Sequence, residues 1–298
     1  MAPPPPPLSR TRHHNSSSAA RAIRYGDRVI RLDRTVVMGI LNVTPDSFSD
    51  GGAYLKPAQA VAQGIRMARD GAAIIDVGGE STRPGSLPVD AAEELSRVIP
   101  VIRRLRAKSG VALSIDTTKA IVADEALKSG ACIINDTSAL EDDPRMIDVA
   151  RAHGCPVIIM HRQGMPRTMQ RRPRYDDAPR DIAQYLKKRI SYLVRCGIKL
   201  EDIIVDPGIC FGKSLEHNVQ IINELRTLCR LGRPVAIGVS RKSFIGKLLG
   251  GIPTHERLAG SLAAAACAVI NGARIVRAHD VKETADLVRV IDGIRERS

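Results

Sequence analysis

The sequence predicts an α/β fold, a (β/α)8 or TIM barrel, on three observations. Short apolar runs alternate with longer amphipathic segments eight times over about 270 residues, the size and rhythm of that barrel. Several of the longer segments stop at a glycine (Gly71, Gly110, Gly130, Gly154, Gly197, Gly232, Gly272), the residue that best takes the left-handed conformation at a helix C-terminus. Each apolar run also ends on a polar or charged residue, which collects chemistry at one mouth of a barrel. A doubly wound open sheet is the alternative, but it would usually carry a Gly-rich nucleotide loop after its first strand, and none is present.

Residues 1–21 contain a proline run, Pro3 to Pro7, followed by Ser, Arg and His. They hold too little apolar material to build a core and should form a disordered head before a barrel over 22–298. Arg and Ser without an acid also fit a transit peptide, although no amphipathic helix is legible there. From Ala22 to Leu32, apolar and polar residues alternate around Gly26-Asp27, which predicts an N-terminal β-hairpin lying as a lid over one end of the barrel. The predicted strands are Val36 to Asn42, Ile74 to Gly79, Val111 to Asp116, Cys132 to Asp136, Pro156 to His161, Ile203 to Asp206, Pro234 to Ser240 and Arg274 to His279. Between them the helical period runs over Pro57 to Asp70, Asp90 to Ala107, Lys119 to Ser129, Pro144 to His153, Pro179 to Cys196, Leu215 to Arg230, Thr254 to Asn271 and Val281 to Arg295.

Composition narrows the function. A net charge of +13 invites a nucleic-acid partner, but aromatic residues make up only 3%, Trp is absent, and the basic residues form no long block. Moderate positive charge better suits a phosphorylated small molecule. No apolar stretch reaches the roughly 18 to 20 residues that a membrane span needs. The six cysteines include no Cys-x-x-Cys pair, which argues against a zinc site or a disulfide scaffold and fits small core residues in a reducing cytoplasm.

The first strand breaks at Asn42 into a loop, Thr44-Pro45-Asp46-Ser47-Phe48, that Gly51 and Gly52 punctuate. The later strands deliver Glu80 to Gly85, Asp116, Asn135 and Asp136, His161, Asp206, Ser240 to Ser243, and Arg277 to Asp280. One such residue is ordinarily a helix cap or a loop ion pair; eight convergent ends make a ring. Asp116, Asn135 and Asp206 offer acceptors for a flat heterocycle with a row of N–H donors, and Lys242 offers donors for its carbonyl side. Arg277, His279, Arg83 and Asn42 form a second group suited to an anion, and an amide oxygen can hold Mg²⁺ against phosphate. The expected site is thus bipartite.

These residues lie in motifs. Met38 to Gly52, Asp76 to Gly85, Ser114 to Asp116, Ile134 to Asp136, Met160 to Gln170, Asp206 to Gly212, Ser240 to Gly246 and Val276 to Asp280 are colinear, and together the chain resembles the bacterial dihydropteroate synthase family from about residue 28 to residue 296. The resemblance implies condensation of 7,8-dihydropterin-6-ylmethyl diphosphate with 4-aminobenzoate to give 7,8-dihydropteroate and diphosphate. It implies that the pterin is held at Asp116, Asn135, Asp206, Lys242 and Arg277, the last stacking on it or bridging to the diphosphate. The diphosphate would fall to Asn42, Arg83, Arg277 and His279, with Mg²⁺ bound through Asn42. The aminobenzoate would lie among Phe48, Thr82, Pro84 and Ser243, its carboxylate at Ser243 at the start of a helix.

Catalytic roles would fall to Asp46, Arg83, Lys242, Arg277 and His279. The family reaction is read as dissociative: diphosphate leaves first, and Asp46 faces the resulting methylene cation. The competing reading of Asp46 is an Asx-type turn with Pro45. The resemblance also implies a homodimer. Two other function classes remain: a corrinoid-dependent methyltransferase domain, which uses a pterin-binding barrel but would lack Ser81-Thr82-Arg83-Pro84-Gly85 and Ser240-Arg241-Lys242-Ser243, and a polyanion-binding barrel, which would not need the ordered carboxylates.

Overall fold

The computed structural model describes residues 22–44, 55–81, 88–165 and 168–295. The expected disordered head lies outside them. The described chain begins with an antiparallel hairpin, β1 (Ala22–Tyr25) and β2 (Arg28–Arg31), joined at Gly26-Asp27 as the turn chemistry predicts.

The barrel strands follow: β3 (Val36–Asn42), β4 (Ala72–Gly78), β5 (Ala112–Asp116), β6 (Ile133–Asp136), β7 (Val157–Met160), β8 (Ile203–Asp206), β9 (Ala236–Gly238) and β10 (Ile275–Ala278). Among the described residues all eight are parallel, in the order β8-β7-β6-β5-β4-β3-β10-β9. A further parallel bridge, Val205 to Val235, joins the two ends of that order and closes the barrel.

The helices between them are α1 (Leu55–Arg69), α2 (Ala91–Lys108), α3 (Ala120–Lys128), α4 (Arg145–His153), α5 (Ala178–Arg195), α6 (Leu215–Asn223), α7 (Arg226–Cys229), α8 (Ser243–Leu248), α9 (Leu258–Ile270) and α10 (Val281–Arg295). Their starts are chemically marked. The Asp90 carboxylate accepts from Glu93 N ahead of α2, and Ser214 and His217 form a reciprocal cap on α6. Gly154 ends α4 at φ +56°, whereas α2 stops at Ser109 in extended backbone, one residue before the expected Gly110.

Two of the expected helices differ in extent, and α8 lies outside the expected segments. The segment 215–230 breaks between α6 and α7, a break that lets Leu225 and Leu228 bury completely. The segment beginning at Thr254 opens as a 3-10 turn, Thr254–Glu256, before α9 starts.

Strand alternation sorts the apolar residues into two cores. Outward residues such as Leu41, Ile75, Val77, Leu113 and Ile237 pack against the helices. Inside, Met38, Ile74, Ala112, Ile133, Ile158, Ile204, Ala236 and Ile275, one from each strand, form an apolar floor. Ile23 and Leu32 from the hairpin complete that floor from below, so the hairpin is the lid the sequence predicts, seated on the N-terminal end. Two residues further along each strand the inward positions become Ile40, Asp76, Ser114, Asn135, Met160, Asp206, Gly238 and Arg277. The floor therefore ends where the polar groups begin.

Leu32 is 1% exposed in this floor. Replacing it with Ala should destabilise the protein by about 2 to 5 kcal/mol through lost burial and the cavity left behind. Urea unfolding measures this, and a loss well under 1 kcal/mol would mean that the hairpin is not part of the cooperative unit.

Candidate active site at the C-terminal mouth of the barrel

Arg277, inward on β10, spans the lumen. Its Nε donates to Asp76 Oδ2 at 2.6 Å and its Nη2 to Asp116 Oδ2 at 2.5 Å. Asp76 also accepts from Asn135 Nδ2 at 3.0 Å and from Ser114 Oγ at 2.6 Å. Asp76 is fully buried, and Asp116 and Asn135 are nearly so. Every member of this network comes from the second or third inward layer of its strand, so pleat and register alone bring it together.

Burial works against the charged Arg277, but Asp76 and Asp116 outweigh it and raise the guanidinium's pKa. For Asp116 burial dominates and pushes the carboxyl up to about 7, with Arg277 opposing and Asp76 adding to the rise. One guanidinium thus serves two buried carboxylates.

Asp206, which ends β8, sits across the lumen. Burial raises its pKa, Lys242 lowers it, and Oδ1 accepts from Gly208 N at 2.7 Å. Lys242 donates to Ile209 O at 2.5 Å and lies 4.9 Å from the Phe211 ring centroid; burial lowers its pKa. The inward positions Gly78, beside Asp116, and Gly238, beside Lys242, carry no side chain and keep the lumen open between those two charges. A flat ligand that places N–H donors on Asp116, Asp206 and the Asn135 amide oxygen, and acceptors on Lys242, matches this slot.

The anion side lies beside it. Ser240 Oγ accepts from the His279 backbone N–H at 3.1 Å and meets His279 Nδ1 at 3.0 Å. The Ser240 proton can go to Nδ1, which leaves Nε2 carrying the ring N–H as a donor. Asn42 is half-buried at the end of β3, and Ser243 opens the short helix α8, its hydroxyl 3.7 Å from Cys210 Sγ.

Asp46, Phe48, Thr82, Arg83 and Pro84 lie outside the described residues. The described residues just before Arg83 are firmly held: Lys119 binds Glu80 and Glu94, the latter at 2.7 Å, and Arg97 Nη1 donates to Gly79 O at 2.6 Å.

These features match known proteins. Residues 38–279 fit the family described as pterin binding enzyme. The chain is 47% identical over 257 residues to the dihydropteroate synthase of Escherichia coli strain K12, covering 86% of this chain and 90% of that one. The chain belongs to the dihydropteroate synthase family. The fold agrees: the Xanthomonas albilineans dihydropteroate synthase with 4-aminobenzoic acid superposes with a TM-score of 0.88 at 43% identity, covering 93% of this chain and 98% of that chain. The same enzyme in complex with 7,8-dihydropteroate gives 0.84 at 42%, covering 92% and 98%. Nothing in these likenesses favours the methyltransferase or polyanion readings.

The family resemblance puts Arg277 in both halves of the bipartite site; in the structure its guanidinium is held by Asp76 and Asp116. Asp76 was not singled out as a site residue. Attention to strand ends alone passes over it, because it lies two residues inside β4; the signal was a lone charge within an otherwise apolar run, Ala72 to Gly78. Ser240 is legible as a strand end, but its pairing with His279 is not, because that partner lies 39 positions away.

The Asp116 shift sets a pH dependence. Unfolded, this carboxyl ionises near 3.8; folded, it keeps its proton up to about 7. Between those values the native state binds more protons, so this contribution is complete below about pH 4 and is lost as pH rises toward 7. Asp136, raised to about 6 by burial, acts in the same direction. In denaturant titrations across pH 4 to 8, Asp116→Asn should flatten the fall in stability without abolishing it; an unaltered slope would show that Asp116 is ionised throughout.

Proposed function

We propose that this chain condenses 7,8-dihydropterin-6-ylmethyl diphosphate with 4-aminobenzoate, yielding 7,8-dihydropteroate and diphosphate, with Mg²⁺ as cofactor. The observation that carries the reading is the buried network of Arg277, Asp76 and Asp116, facing Asp206 and Lys242 across an open lumen in a chain of this family.

In this reading Asp116, Asp206 and Asn135 accept from the donor edge of the pterin, and Lys242 donates to its carbonyl side. The bond between the pterin methylene carbon and the diphosphate oxygen breaks, and its electron pair leaves with diphosphate. Arg277, His279 and Arg83 stabilise the charge that develops on the leaving oxygens. The amine nitrogen of aminobenzoate then bonds to the methylene carbon and releases a proton to solvent. No general base is required, because an arylamine is unprotonated at neutral pH. Asp46 would face the methylene cation, and Phe48, Thr82, Pro84 and Ser243 would enclose the aminobenzoate.

The residues present suit Mg²⁺. Among the described residues no group of three or more His, Cys, Asp or Glu is placed to hold a metal ion. A magnesium ion commonly takes one or two protein oxygens and completes its shell with phosphate and water, and the Asn42 amide oxygen fits that single role. When bound there, Mg²⁺ would neutralise charge on the diphosphate.

Two copies are proposed to pair, since Ile270 at the end of α9 and Val290 and Ile294 on α10 are exposed. A cytoplasmic setting is proposed from the six free cysteines. Among the described residues no helix is long and apolar enough to cross a membrane.

Mass spectrometry of the product formed from the pterin diphosphate and 4-aminobenzoate tests the reaction, and no dihydropteroate at any Mg²⁺ concentration would refute it. The order of binding is tested separately. From the sequence, Arg83 and Asp46 are expected on the same two segments as Phe48, Thr82 and Pro84, so diphosphate should order those segments before aminobenzoate binds. Arg83→Ala should then weaken aminobenzoate binding by about 1 to 3 kcal/mol without a direct contact. Equal aminobenzoate affinity with and without Mg²⁺-diphosphate would exclude that order.

A further inference from the structure

Lys213, between β8 and α6, is 3% exposed, which for a lysine calls for a partner of opposite charge. Its Nζ instead meets three neutral acceptors: Phe211 O at 3.0 Å, His161 Nδ1 at 3.1 Å and His161 O at 3.3 Å. In the protonated form its three N–H groups match these three acceptors. Burial pushes its pKa down to about 7, with Asp206 opposing the fall and Lys242 adding to it.

His161, just past the end of β7, is built to accept. Burial, and then Lys213, push its pKa down to about 3, so the ring stays neutral with a lone pair on Nδ1. Tyr185 packs edge-on at 4.9 Å between ring centroids and holds the ring's orientation.

The backbone of His161 in turn grips the end of β8. Its N–H donates to Asp206 O at 3.0 Å. Its carbonyl lies so close to Gly208 that any Cβ there would overlap it, and Gly208, at φ +69°, is the residue whose N–H fixes the Asp206 carboxylate. An unbroken chain of contacts therefore runs from Lys213 through His161 to Asp206.

We propose that Lys213 is a positioning residue for the pterin: its ammonium holds His161, and through it the Asp206-Pro207-Gly208 turn, so that the Asp206 carboxylate faces the lumen. This rests on the reaction proposed above. A side chain without donors at 213 would leave three buried acceptors unpaired and release the turn.

The test uses the full chain with Lys213→Met, which keeps the stem, and Lys213→Gln, which keeps two donors. Melting temperature, kcat and the KM for each substrate are measured for both and for the unaltered protein. In the Met variant the KM for the pterin diphosphate should rise at least tenfold, with less than a threefold fall in kcat; the Gln variant should recover most of that loss. Unchanged pterin KM in a folded Met variant overturns the proposal, as does a Gln variant as impaired as Met. If Lys213→Met does not fold, Lys213→Gln and His161→Gln decide: a pterin KM within twofold of the unaltered protein in both overturns it. Absence of turnover in the unaltered protein would instead refute the reaction itself, and this role with it.

Discussion

One guanidinium, Arg277, sits between two buried carboxylates inside a closed barrel, and the rest of the site is arranged around its charge. Water would screen this arrangement to near insignificance; within the lumen it is strong, because the walls are apolar and the floor below is sealed by Ile23 and Leu32. Asp76 is held on both oxygens, by Ser114 on one and by Arg277 and Asn135 on the other. Asp116 shares the same guanidinium with less support and so holds its proton toward neutrality. A donor-rich ligand can supply what Asp116 lacks, which gives the slot a physical reason to prefer a pterin over a fully aliphatic substrate.

Around this centre, polar side chains of neighbouring helices and strand ends hold the segments that leave the barrel. Lys119 and Arg97 hold Glu80 and Gly79 at the end of β4, Ser240 orients His279, and Arg241 pairs with Asp280 behind them. Two buried carboxylate oxygens, Glu94 Oε1 and Asp136 Oδ2, have no hydrogen-bond partner among the described residues. Both belong to side chains whose charge raises the Asp116 pKa.

The sequence by itself determined a great deal here, since its signals are local. The alternation of apolar runs and helical periods is set within ten or twenty residues, and it placed all eight strands and the hairpin turn at Gly26-Asp27. Strand ends are equally local, so Asn42, Asp116, Asn135, Asp206 and Arg277 could be picked out by position. The short helix at Ser243, absent from the periodic pattern, followed only from the family motif, because six residues are too few to show a period.

Tertiary structure alone decided which of these groups meet. Asp76 and Arg277 are 201 residues apart, and Lys213 and His161 are 52 apart. Their contacts depend on strand register and on closure at Val205 and Val235, where a shift of one residue would turn every inward side chain outward. The pattern of a single strand shows that a charge is present within it, but not whether a partner waits across the barrel. That information exists only once eight strands have closed on one another.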